Sequence, residues 1–178
     1  MDLRIKKTQR ALVSAMFHLL ESQKFGKITV NDLCTEAMIS RTAFYSHFED
    51  KYALLKFCIQ MMKQRLFEEI EDKTLHNLIK KVLENTIENV KPIKNLLLAG
   101  QDVELVEMMR KSFQDDLERH LNDHKIQKET LPGPIDVIAL YYASGITSVI
   151  MYWINKNLPY TVDEMTACLL ALIPQHLL

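Results

Sequence analysis

Between Val137 and Asn155 the chain runs for nineteen residues, VIALYYASGITSVIMYWIN, without one charged side chain. No other stretch restricts the fold as much. A helix of that length can span a bilayer. Tyr141, Tyr142, Ser144, Thr147 and Ser148 sit in its middle, however, and no second segment of this kind accompanies it. Polar groups are expensive at membrane depth, so the segment reads as a helix of about 135–157 buried within protein. Its apolar residues point more than one way. Ile138, Tyr142, Val149 and Trp153 lie on one side, while Leu140, Ile146, Ile150 and Ile154 spread over the others. Such a helix must be covered all round. In a chain of 178 residues, one side packs on its own domain. The other is expected to meet a second copy, and an isologous two-fold dimer is the commonest arrangement. The expected dimer face comprises Ile138, Tyr142, Ile146, Val149 and Trp153, joined by Met165, Leu169 and Leu172 from the last helix. A central helix in a monomer is the competing reading.

The rest of the chain is also helical in pattern. Four glycines and five prolines allow few turns. Leu12, Val13, Met16, Phe17 and Leu20 share one face of a helix over about 5–22, with Gly26 as its stop. Thr29 with Asp32 three residues on reads as a capping box for a helix to about Ala37. Ser40 caps a short helix of about 41–47, and Asp50 a long one with Leu55, Ile59, Met62, Leu66 and Ile70 as its stripe. Helices follow at about 75–90, 92–99 and 102–126, Pro92 suiting a first turn. Thr161 with Glu164 opens the last helix, about 162–177. No strand alternation occurs, so the fold class is all-α with about nine helices. Cys34, Cys58 and Cys168 form no CxxC pair, which argues against a disulfide framework or a zinc knuckle and for a reducing cytoplasm. The N-terminus MDLRIKKTQRALV shows no export signal.

Charge is divided unevenly. Residues 1–56 carry nine Lys/Arg against six Asp/Glu, and residues 57–178 carry thirteen against seventeen. A slightly basic head on an acidic body suits a polyanion at one end only. The head has the order of a helix-turn-helix, its second and third helices joined by a three-residue turn, MIS. On a helical wheel of 41–48, Ala43, Phe44, His47 and Phe48 fall inside, with the two phenylalanines able to pack on Leu33, Ala37 and Ile39. Arg41, Thr42, Tyr45 and Ser46 fall outside. That outer set does little for stability and suits DNA. Arginine reads guanine bidentately, while Thr and Tyr reach phosphates or a thymine methyl. The helix N-terminus enters the major groove first, which puts Arg41 and Thr42 foremost.

The stretch ITVNDLCTEAMISRTAFYSHFEDKYALL, residues 28–55, resembles the DNA-binding signature of the TetR family of transcriptional regulators. The resemblance rests on Thr29, Leu33, Ala37, Ile39, Ser40, Phe44-Tyr45, His47-Phe48, Lys51 and Leu54. It implies a helix-turn-helix domain over 1–50 and a helical dimerisation and regulatory domain over 51–178, pairing through the last two helices and often holding a ligand pocket. By position, Thr29, Tyr45, His47 and Lys51 would touch phosphates, and Arg41, Thr42, Ala43 and Ser46 would face bases, with Ser40 beside them at the cap. Two departures from the family pattern stand out. Met38 occupies a turn position where the family usually has glycine, and Thr42-Ala43 stands where Gly-Thr is common. The phrase DKY and the run ALYYASGITSVIMYWINKNLP resemble the branch that includes dihydroxyacetone-kinase operon activators. That branch implies an alternative, a coactivator working through a protein partner without a small-molecule inducer.

Other candidates have competing readings. Lys51 is either a phosphate contact or a solvated helix start, and His47 either a phosphate contact or an inner-face cap. Asp116, His120 and His124 share a helix face at metal-compatible spacing, but the stretch QDDLERHLNDHK is strongly charged, so a solvated face is preferred and no metal or cofactor is expected. Met61, Met62, Met108, Met109, Phe113, Tyr141, Tyr142 and Met151 could line a pocket for a small apolar ligand or simply fill a helical core. A nucleophile elbow, a phosphate-cradling Gly-rich loop and an acidic pair in an apolar setting are all missing, so an enzyme is not expected. The expectation is a cytoplasmic homodimeric regulator on a palindromic operator, acting as a repressor or an activator. An apolar-ligand carrier or enzyme on a helical scaffold is the outlying alternative.

Overall fold

Leu12, Ala15, Met16 and Leu20 recur at helical spacing and are buried on one face of α1 (Leu3–Ser22). A computed structural model of the chain describes residues 3–72, 74–97, 103–123 and 131–173. Helix α1 gives out before the expected stop at Gly26, which instead lies inside a 3-10 turn, Phe25–Lys27. The reason is Phe25: its ring is fully buried, and seating it bends the chain before the glycine is reached.

Next come α2 (Val30–Glu36), α3 (Arg41–Tyr45) and α4 (Lys51–Glu68). Each expected cap is present. Thr29 and Asp32 form a full capping box, the Ser40 hydroxyl accepts from the Ala43 amide, and the Asp50 carboxylate accepts from the Ala53 amide. Each satisfies donors that a helix N-terminus leaves open. After them come α5 (Leu75–Glu88), α6 (Val90–Leu97), α7 (Val103–Asp123), α8 (Ile135–Asn155) and α9 (Val162–Ala171). The described residues thus hold nine α-helices and no strand, the all-α architecture expected. Thr161 and Glu164 form the second capping box. The expected ends of α7 and α9, near 126 and 177, lie outside the described residues.

The chain gathers into two compact units. The first is Met1–Glu69 with Asn89–Asp102, and the second is Ile70–Glu88 with Val103–Leu178. The boundary expected at residue 50 therefore falls inside the first unit. Helix α1 packs on α2, α4 and α6 there, and the Asn95 side chain of α6 donates to the Leu20 carbonyl at 2.8 Å. In the second unit α7 packs on α8 and α5 on α9. Leu83, Trp153, Met165 and Leu169 form one core cluster, and Leu121 with Ile138 another. The Lys80 ammonium meets Asp163 at 2.8 Å, tying α5 to α9.

Helix α8 is long and apolar enough to cross a membrane by length and composition, and 33% of its most apolar window is buried within the chain. Its inner face includes Ile138, Ala139, Ala143, Thr147, Trp153 and Ile154. Beyond it Asn157 and Leu158 are both left-handed, at φ 59° and 56°. The Leu158 amide donates back to the Trp153 carbonyl at 2.9 Å, and the Trp153 indole donates to the Tyr160 carbonyl at 2.9 Å.

Candidate nucleic-acid interface

The turn between α2 and α3 positions the candidate site. Met38 is left-handed at φ 54°, the conformation in which glycine is the easy residue. The Ile39 amide reaches back to the Cys34 carbonyl at 3.0 Å and the Met38 amide to Thr35 at 3.2 Å, a Schellman-like closure of α2. The Met38 side chain itself is 91% exposed, so nothing it packs against offsets the strain. Ser40 then starts α3 directly.

Helix α3 is only five residues long and stands on its aromatic underside. Phe44 is fully buried and Phe48 nearly so. The Phe48 ring lies 6.1 Å from Phe44 and 5.4 Å from Phe57 of α4. The upper side holds Arg41, Thr42, Tyr45 and Ser46, all exposed, with Tyr45 at 50%. The wheel expected from the sequence is therefore the one observed. Ala43 and His47, expected inside the wheel yet also offered as DNA contacts, are half-buried. The Arg41 guanidinium lies over the Tyr45 ring at 5.9 Å. The Ser46 hydroxyl donates to the Ala43 carbonyl at 2.8 Å. Burial pushes the Cys34 thiol up, and the nearby Arg41 charge opposes that more weakly.

Thr29 is committed to its cap. Its amide and hydroxyl both donate to the Asp32 carboxylate, at 2.9 and 2.7 Å. These bonds hold the Asp32 carboxyl below the usual carboxylate range. Lys51 departs most from the expectation of a phosphate contact. Its ammonium donates to the carbonyls of Phe25 at 3.0 Å, Gly26 at 3.4 Å and Ile28 at 2.9 Å. It also lies 4.6 Å from the centre of the Phe25 ring and 5.6 Å from that of Tyr52. No local sequence pattern reports a contact across such a separation.

The remaining expected sites are redistributed. Ile138, Trp153, Met165 and Leu169, expected on a dimer face, are buried in their own unit. Tyr142, Ile146 and Val149 are half-buried against the same clusters. Of that set only Leu172, at 61%, is strongly exposed. The outward apolar residues of α8 are Val137, Leu140, Tyr141 and Tyr152. An open groove of about 590 Å³ is lined by residues of α8, Ser144, Gly145 and Ser148 among them, and by Leu169 of α9 with Leu172 and Ile173 after it. The spacing of Val137, Leu140, Tyr141, Ser144 and Ser148 marked this face in the sequence, but a helix apolar all round does not say which side is inside. The expected pocket residues are divided between the two units. Met61 and Met62 lie on α4 in the first unit, Met108, Met109 and Phe113 on α7 and Met151 on α8 in the second, and Tyr141 faces outward at 72%. Only Tyr141 and Tyr142 line the groove, and burial with Tyr141 close by pushes the Tyr142 phenol up. His124 lies outside the described residues, as does the side chain of His120, while Asp116 meets Arg119 at 3.5 Å.

Residues 73–175 match the family described as transcriptional regulator C-terminal region, of the TetR type. Over 170 residues the chain is 23% identical to an uncharacterised HTH-type transcriptional regulator, YxbF, of Bacillus subtilis (strain 168). It spans 43% of that relative's length. Among solved structures it is similar to a TetR transcriptional regulator from Streptococcus agalactiae 2603V, with a TM-score of 0.70 and 27% identity, covering 97% of this chain and 96% of that one. It also shares its fold with the dihydroxyacetone kinase operon activator DhaS, with a TM-score of 0.65 and 18% identity over 93% of each chain.

Proposed function

The chain belongs to the TetR family of transcriptional regulators, and from that membership we propose that it binds a palindromic operator as a homodimer in the cytoplasm. Arg41, Thr42 and Ser46 face bases and Tyr45 meets the backbone, while Thr29, its donors engaged by Asp32, holds the start of α2. One observation carries the reading. Helix α3 buries Phe44 and Phe48 beneath it and leaves Arg41, Thr42, Tyr45 and Ser46 together in solvent. A cation with five fixed donors beside hydroxyls and an aromatic ring matches the edges and phosphates of a major groove.

The second copy is proposed to sit on the outer face of α8 and α9, where Val137, Leu140, Tyr141 and Leu172 are exposed beside the groove. An apolar patch of this kind costs free energy in water and is relieved by pairing. Regulation is a population shift: an event in the second unit moves α4, and the separation of two recognition helices changes with it. The event is binding of a small apolar ligand or of a protein partner.

The test is selection of bound duplexes from a random DNA pool, run beside an Arg41→Ala/Tyr45→Ala double variant. A palindromic motif that the variant fails to enrich supports the regulator. No enrichment by folded, dimeric protein favours the coactivator that docks a protein partner.

A further inference from the structure

Lys51 carries a geometry that a phosphate contact does not need. It stands in the first turn of α4, held there by the Asp50 cap on the Ala53 amide at 2.8 Å. Its three ammonium donors have three carbonyl acceptors on the 3-10 turn and the residue after it, Phe25, Gly26 and Ile28. The Phe25 and Tyr52 rings, edge to face at 5.2 Å, flank it on the apolar side. An ammonium so placed is stabilised by carbonyl dipoles and ring faces together. Ile28, whose carbonyl takes the shortest of these bonds, directly precedes Thr29, the residue that caps α2.

We propose that Lys51 is a positioning residue for DNA binding, a strut from the start of α4 to the 3-10 turn that sets where Thr29 and the N-terminus of α2 stand. This deepens the regulator reading above and rests on it. The strut gives that reading a route. A displacement of the first turn of α4 moves Nζ, Nζ moves the Ile28 carbonyl, and the backbone of Thr29 follows. Lysine suits the task because a compact ammonium can donate in three directions at once. The planar fork of arginine cannot meet three carbonyls converging on one point.

Two variants separate a strut from a phosphate contact. Lys51→Arg keeps the charge and loses the convergence, while Lys51→Met loses both. Binding is measured by anisotropy on a labelled random-sequence duplex over a salt series, alone and in a Thr29→Ala background. Amide exchange at Lys27 and Ile28 is followed without DNA. The strut predicts that Arg and Met substitutions weaken binding alike, by about tenfold, the worth of one charge-assisted hydrogen bond, with an unchanged salt slope. In the Thr29→Ala background the loss shrinks to about twofold or less, because residues acting as one unit are not additive. Exchange at Lys27 and Ile28 speeds up in both variants, while Phe44 and Phe48 stay as they were.

A Lys51→Arg protein that binds like the wild type, beside a Lys51→Met protein whose salt slope falls by about one, overturns the strut in favour of phosphate contact. Losses that simply add to that of Thr29→Ala overturn the positioning role. Wild-type protein that binds no duplex defeats the DNA-binding reading itself, and unaltered exchange at Lys27 and Ile28 would then dispose of the strut separately.

Discussion

The guanidinium of Arg41 lies 5.9 Å from the centre of the Tyr45 ring, one helical turn along the exposed side of α3. A cation over a ring face at the surface is worth about 0.5–1 kcal/mol. On the proposed reading, the contact orients a long side chain before any base arrives. Arg41→Ala should cost about 1–3 kcal/mol of operator affinity and relax discrimination at one base pair. Tyr45→Phe keeps the ring and should leave the base preference intact. Competition binding against single-base operator variants checks both, and unaltered discrimination in Arg41→Ala would remove it from the base contacts.

Met38 offers a cleaner stability test. It is left-handed at φ 54° and 91% exposed, so it has strain and almost no packing to lose. Met38→Gly should stabilise the protein by about 1 kcal/mol, since a side chain in that conformation costs about that much. Urea denaturation at neutral pH measures it, and a destabilised variant would show that the methionine makes a contact the fold depends on.

Acid should act mainly through the two capping boxes. The Asp32 carboxyl is held low by the Thr29 hydroxyl and then its amide, and that of Glu164 by the Thr161 amide and then its hydroxyl. Asp163 is held low by its hydrogen bond from the Lys80 ammonium. A depressed carboxyl contributes stability that is present above its unfolded value and lost as pH falls through its folded value. Stability should therefore hold at neutral pH and fall below about pH 4. An Asp32→Asn/Glu164→Gln protein should be less stable at neutral pH and show a shallower acid loss. Parallel unfolding curves across that window in the two proteins would reject this account.

The outer and inner faces of α8 should answer differently to substitution. Leu140 is 42% exposed, while Trp153 is fully buried. Leu140→Asp should yield a folded monomer by sedimentation velocity. Trp153→Ala should leave any dimer contact alone but cost about 3–5 kcal/mol of stability through the cavity it creates. A Leu140→Asp protein that still sediments as a dimer would move the interface elsewhere.

Much of the fold was legible because its signals are local. Thr29 with Asp32, Ser40, Asp50, and Thr161 with Glu164 each mark a helix start within four residues of sequence, and each cap is formed. The exposed side of α3 was legible for the same reason, since one turn of helix decides it. Three things were not. Gly26 promised a helix stop, but burial of Phe25 came first. Periodicity put Ile138 and Trp153 on one face of α8 without telling core from surface, because the opposite face is apolar too. Lys51 read as a surface cation because its partners lie at Phe25, Gly26 and Ile28, a distance in sequence over which no spacing rule operates.

The chain leaves the first unit after Glu69, returns at Asn89 and departs again after Asp102. On the ribosome this sets an order of events. The recognition helix emerges early, yet α1 still lacks the cover of α6, and the Leu20 carbonyl its Asn95 partner. Helix α5 must emerge in between, before its own partner α9 exists. The nascent first unit therefore waits with an open flank while a helix of the other unit is made, and a protein cut at residue 50 or 69 would keep that flank open permanently.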